Sequence, residues 1–229
     1  MTKKVTPGGR GVGGGETESV WEVVRVLFRN KVWITAVLGY SAWSFTIGAF
    51  AVWSPTFLYK VFKIPLEEAD VQFGAITLLN GLLGTAAGGV MLDFLVARLG
   101  ADVITASLGL VCGLTAASIP FLLAAFLVHE PWVFYFGLIV GEFFLFSTMS
   151  PINGVFLWCV AAKHRSMSVA VMNILIHLLG DVFSPALAGG MWQATDNARL
   201  TMACVSAWLT WGVLFFGLSS YLSYNTHSV

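Results

Sequence analysis

Residues 103–128 read VITASLGLVCGLTAASIPFLLAAFLV, 26 consecutive residues without a charged side chain. A helix rises about 1.5 Å per residue and a hydrocarbon core is about 30 Å thick, so about 20 apolar residues cross it. Five stretches of the same kind lie around this one, at 32–58, 71–92, 132–160, 167–191 and 201–222. A membrane β-barrel strand would be about ten residues of alternating polarity. These stretches are continuous and twice as long. They predict an all-α, polytopic transmembrane helix bundle with six spans.

The composition agrees. Of 229 residues, 57% are apolar and 10% charged, with a mean hydropathy of +0.82. A soluble domain carries about 25% charged residues. Lys plus Arg and Asp plus Glu are 12 each, for a net charge of zero. Nine of those charges fall in the first 31 residues, leaving 15 for the other 198. That is too few to clothe a water-soluble surface. A nucleic-acid binder is excluded as well, because nothing basic is concentrated outside the N-terminal tail. Cys112, Cys159 and Cys204 are scattered through apolar sequence; they read as small buried residues, not as a disulfide framework or a metal cluster.

Three regions follow: a linker at 1–31, the six-span domain at 32–222 and a short tail at 223–229. Residues 1–17 are Gly-rich and basic. They contain a formal GxGxxG at Gly9, Gly11 and Gly14, but no strand precedes it, and a flexible linker is the better reading. No apolar h-region follows at signal-peptide distance. Ser19 and Glu22 form a capping-box pattern. Beyond it Glu18, Glu22, Arg25 and Arg29 share one helical face, and Val20, Trp21, Val23, Val24, Leu27 and Phe28 cover the other. Such a helix lies in a membrane interface. Lys and Arg sort nine to three between the two sets of connections, with the N-terminal side favoured. Both termini are therefore expected to be cytoplasmic.

Small residues recur four apart at Gly84 and Gly88, Gly109 and Gly113, and Gly137 and Gly141, a spacing that lets helix backbones approach closely. Pro55, Pro120, Pro151 and Pro185 lie within or at the ends of spans, where proline kinks or breaks helices.

A charged side chain at mid-bilayer depth costs about 2.5–3.5 kcal/mol on insertion scales. Glu142 lies about ten residues into the fourth span, roughly 15 Å deep at the helix rise. Asn173, His177 and Asp181 follow an i, i+4, i+8 spacing and share one face of the fifth. Asn80 on the second span and Asn153 on the fourth are expected to face the same interior as these. Together the six residues describe a substrate cavity or proton path; His is the side chain that titrates near neutrality. The competing reading is that His177 and Asp181 only bond each other and glue helices together. Catalytic patterns are missing: HxxxD at His177 and Asp181 matches no nucleophile or metal set, and neither GxSxG nor a Walker A lysine occurs. No enzyme activity, cofactor or metal is expected.

Gly89-Val-Met-Leu-Asp93 followed by Arg98 resembles the loop signature between the second and third helices of each half of a major facilitator superfamily transporter. The resemblance implies that Asp93 caps a neighbouring helix and, with Gly89 and Arg98, latches the cytoplasmic side. A sharper resemblance is to the spinster subfamily of lipid transporters. It rests on Asn30-Lys31, Leu38-Gly39-Tyr40, the run from Ala51 to Leu58, Gly141-Glu142, Lys163-His164-Arg165-Ser166, and HLLGDVFSP from His177 to Pro185. It implies the C-terminal six-helix half of a twelve-helix carrier, with residues 1–31 as its central linker. It further implies alternating-access transport of an amphiphile such as a sphingolipid or lysophospholipid, with a proton as one coupling ion. The partners implied are the lipid bilayer, the substrate, and an N-terminal six-helix half or a second copy. An endosomal, lysosomal or plasma membrane is the implied location. The alternative is a non-transporting membrane subunit, scaffold or truncated product.

Overall fold

The computed structural model describes residues 18–227. Among them the chain is helical throughout, with no strand, and six helical stretches are long and apolar enough to cross a membrane. The tail at 1–17, with its Gly motif, lies outside the described residues.

Helix α1 (Val20–Arg29) opens with the expected capping box, the Ser19 N–H donating to Glu22 Oε2 at 2.9 Å. Span 1 is α2 (Lys31–Phe57) and a wider turn at Leu58–Phe62. Asn30 starts it, its Oδ1 accepting from the Trp33 N–H at 3.1 Å and its Nδ2 donating to the Cys159 carbonyl at 2.7 Å. Span 1 is the hub of the bundle. Its most apolar window is 67% buried, whereas those of spans 2 and 5 are each 22% buried. Lys63, at φ 60°, turns the chain into span 2, α3 (Leu66–Leu99). Span 3 is α4 (Val103–Leu127), continuous through Pro120.

The last three spans are interrupted. Span 4 comprises α5 (Pro131–Ser147) and α6 (Met149–Trp158), joined at Thr148. Pro151 has no N–H to offer the Ser147 carbonyl. At the same break the carbonyl of Leu145 accepts from three groups: the Thr148 N–H at 3.2 Å, the Thr148 hydroxyl at 2.6 Å and the Trp43 indole at 3.0 Å. Span 5 comprises α7 (Arg165–Leu179) and α8 (Ser184–Thr195), separated by residues 180–183. Span 6 comprises α9 (Ala198–Ala207) and α10 (Leu209–His227), joined at Trp208. Helix α10 runs on to His227, past the apolar stretch that ends at residue 222.

Two glycine pairs pack as expected and one does not. A Cβ at Gly84 would lie 2.9 Å from the Phe143 carbonyl oxygen, and one at Gly88 would collide with that of Ser147, so α3 presses backbone to backbone on span 4. At Gly137 a Cβ would stand 2.5 Å from the Phe121 carbonyl oxygen, which fixes span 4 on span 3. Gly113 has open space and Gly109 meets only Ser220 Oγ at 3.7 Å. That pair makes no close approach: the spacing recurs by chance in a chain with 24 glycines.

Aromatic rings seal one end of the core. Phe57 stacks on Phe134 at 5.6 Å and meets Phe126 edge-on at 5.2 Å. Arg199 closes this end, its guanidinium donating to the Phe126 and Val128 carbonyls at 3.2 and 2.6 Å. Arg199 lies in the first turn of α9 and satisfies the C-terminal carbonyls of α4.

Candidate functional site

Glu142 is fully buried in α5. The Thr77 hydroxyl donates to its carboxylate at 3.1 and 3.3 Å, and Asn80 Nδ2 approaches at 3.5 Å. Thr77 and Asn80 stand three residues apart on α3, one turn of one face. The close backbone contact at Gly84 and Gly88 brings that face onto α5. No cation pairs with Glu142 among the described residues. A carboxylate buried on neutral donors alone is an expensive group to keep in a bundle. Sequence reasoning placed Asn80 in the same interior as Glu142 without pairing the two and missed Thr77; its i, i+3 relation to Asn80 was the available signal.

Span 5 holds a second, separate group. His177 Nδ1 lies 2.9 and 3.1 Å from the two Asp181 carboxylate oxygens. Gly180 makes this geometry possible. A Cβ there would lie 2.8 Å from the Ser41 carbonyl oxygen and 2.7 Å from Ser44 Cβ, so only glycine lets the break seat on span 1. Asp181 then packs its backbone against Gly48. The His177 carbonyl takes the Val182 N–H at 3.1 Å, one residue beyond the usual helical partner, and this local widening occurs frequently at functional sites.

The six candidate residues do not share one interior. Asn173 and His177 are exposed and Asp181 is half-exposed, on a span that little else covers. Their stripe looks out of this bundle, whereas Glu142 is buried inside it. Asn153 donates to the Met149 carbonyl of its own helix at 2.8 Å and interacts with the buried Tyr40 hydroxyl. Hydropathy reports that a face is polar but not whether the polar face meets this unit or another.

The motif on α3 also differs from its expected form. Asp93 and Arg98 are helical and exposed, not in a loop, because α3 runs on to Leu99 and the connection is only residues 100–102. Arg98 lies over the Phe94 ring at 4.9 Å. Gly89 packs near Ser150, a Cβ there standing 3.2 Å from its Oγ. Among the described residues Asp93 caps no helix; Asp102 caps α4, accepting from the Thr105 N–H at 3.0 Å.

Three tryptophans, unremarked in the sequence, tie span 1 to its neighbours. The indoles of Trp33, Trp43 and Trp53 donate to Ser168 Oγ at 2.8 Å, the Leu145 carbonyl at 3.0 Å and the Pro185 carbonyl at 2.9 Å. Their ten-residue spacing was visible, but the acceptors were not.

A six-span bundle with a buried hub, broken helices and two bare flanking spans is one half of a major facilitator superfamily transporter fold. The bacterial homolog of the human lysosomal transporter Spinster, solved inward-facing and unoccupied, superposes with a TM-score of 0.72 at 19% identity, over 90% of this chain and 52% of that one. The chain belongs to the Organic Anion Transporter Polypeptide (OATP) family, which residues 11–127 match. It is 33% identical over 215 residues to the "Probable sphingolipid transporter spinster homolog 2" of Arabidopsis thaliana, covering 92% of this chain and 43% of the relative. It is 30% identical over 217 residues to a sphingosine-1-phosphate transporter of Danio rerio, covering 88% and 41%. The chain thus spans somewhat under half the length of these relatives.

Proposed function

We infer that this chain is the C-terminal half of a spinster-like secondary transporter that moves an amphiphilic lipid of the sphingolipid or lysophospholipid class. The observation that carries this reading is the uncovered polar stripe of Asn173, His177 and Asp181 beside the break in span 5. Polar groups on a membrane span are satisfied inside a protein or a wet cavity. A second six-helix unit laid against the bare face of span 5 would enclose the stripe in such a cavity, and the long apolar faces beside it would suit a lipid chain. The names of the relatives support the substrate class.

Glu142, on neutral donors between spans 2 and 4, is the group placed to carry a coupled proton. Protonation would remove its buried charge and change its bonds to Thr77 and Asn80, which join two spans that must move together or apart. Gly89, Asp93 and Arg98 would complete a latch only when the second half supplies a partner. Lys and Arg, nine on one side and three on the other, support a reading with both termini on the cytoplasmic side.

The test is reconstitution. Co-expressed with a six-helix N-terminal half and placed in proteoliposomes, the chain should take up a fluorescent sphingosine analogue, and His177→Ala/Asp181→Ala should abolish uptake without reducing insertion. Full transport by the double variant rules out the cavity role of the stripe.

A further inference from the structure

A cavity of about 510 Å³ opens at the end of the bundle where α1 meets α2, within the roughly 300–1,000 Å³ of small-ligand sites. Spans 1, 3, 4 and 6 build it, and no residue of spans 2 or 5 lines it. It therefore lies apart from both Glu142 and the span 5 stripe. Two of its lining residues are cations: Arg29, the last residue of α1, and Lys31, the first of α2. Both are exposed, and neither forms an ion pair among the described residues.

The placement of Lys31 is electrostatically adverse. A helix N-terminus carries about half a positive charge, so the 27-residue helix α2 opposes an ammonium at its first position. Arg29, two residues earlier, is favoured by the C-terminus of α1 and brings a second positive charge to the same wall. No carboxylate lines the cavity. Asp102, two residues before Ile104, is not among the lining residues, and its carboxylate accepts from the N–H and hydroxyl of Thr105. The neutral polar groups of the wall are also committed: Asn30 to Trp33 and Cys159, Ser223 to Thr105 at 2.8 Å, Thr226 to Leu222. Both charged side chains of the wall are therefore positive, and an anion is the ligand that complements them.

Depth decides the kind of anion. Helix α1 leaves Trp21 79% and Val20 57% exposed on its apolar side, as a helix lying in the headgroup region does. The cavity opens beside it, and Val32, Ile104, Trp158 and Leu222 give it an apolar wall continuous with the spans. The geometry points to a site for the phosphate-bearing headgroup of a resident anionic lipid, held by Arg29 and Lys31 at the membrane surface. This rests on the reading of the chain as membrane-spanning but not on what it transports.

Native mass spectrometry of the purified chain in detergent tests it, with a phosphatidylinositol monophosphate and phosphatidylcholine as probes. The phosphoinositide should be retained in preference, and Arg29→Gln/Lys31→Gln should weaken its binding roughly 30-fold, at about fivefold per cation near a membrane surface. Arg25→Gln/Arg165→Gln, which removes as much charge, should leave it unchanged, and Arg29→Lys/Lys31→Arg should preserve it. Undiminished binding in the first variant overturns the site, as does an equal loss in the second or a loss in the charge-conserving third. Displacement of the lipid by an equal concentration of free inositol phosphate overturns the assignment to a lipid. No transport is measured, so failure here leaves the transporter reading intact, and failure of transport leaves this one intact.

Discussion

His177 Nδ1 and Asp181 Oδ2 stand 2.9 Å apart, and the bond bridges the point where span 5 stops being a helix. Both side chains keep substantial exposure, so as an ion pair they contribute at most about 1 kcal/mol to stability. Their value is positional. His177→Ala and Asp181→Ala should each shift the melting of the detergent-solubilised chain by less than about 1 kcal/mol. Each single variant should depress uptake in the reconstituted carrier nearly as far as the double does. Additive losses in a double-mutant cycle would show that the two side chains work separately.

Glu142 gives the opposite balance. A fully buried carboxylate with no cation costs the bundle more than a neutral isostere. Glu142→Gln should therefore melt no lower than the parent in a thermal scan while losing the pH dependence of uptake. Thr77→Val removes the best donor to a buried acceptor and should cost about 1–3 kcal/mol. A Glu142→Gln variant that unfolds would mark the carboxylate as structural.

Gly88 and Gly113 make a matched pair. At Gly88 a new Cβ meets the Ser147 carbonyl oxygen, a backbone atom that cannot step aside, so Gly88→Ala should destabilise by about 1–3 kcal/mol as overpacking does. At Gly113 nothing lies within 4 Å, and Gly113→Ala should gain up to about 1 kcal/mol from helix propensity. Paired thermal melts in one detergent decide it. Equal effects at the two sites would contradict the packing between spans 2 and 4.

Glu18 pins the connection between spans 4 and 5 to the start of α1. Hydrogen bonds first from Lys163 and then from His164, whose Nε2 is 2.7 Å away, hold its carboxyl below the usual carboxylate range. Because the folded value is the depressed one, this attachment is fully present above the ordinary Glu value of about 4.3 and is lost as pH falls through the depressed value. Hydrogen exchange across α1, followed downward in pH, should rise through that window. Glu18→Gln should exchange faster at neutral pH and lose the pH dependence.

Much of this molecule was legible in one dimension. Apolar runs longer than a bilayer is thick have no folded form but a membrane helix, so six spans and an all-α bundle followed from length alone. Glu142 was conspicuous because a carboxylate at that depth demands donors, and Asn80 was one of the two asparagines expected to face the same interior. Ser19 with Glu22 announced a helix start by local chemistry that needs no tertiary partner.

Tertiary structure decided which face of each span meets which neighbour. In a soluble protein the polar side of a helix points to water and the pattern gives its orientation. In a bilayer the lipid-facing and protein-facing sides are both apolar, so hydropathy carries no such signal. That is why Gly84 with Gly88 and Gly109 with Gly113 looked alike, although a backbone presses on the first pair alone. It is also why Asn173, His177 and Asp181 were grouped with Glu142, although their stripe faces outward. The sequence determined that these polar groups lie on apolar, membrane-length stretches. Only the packed bundle separated the one satisfied within this half, on Thr77 and Asn80, from those left bare at its surface.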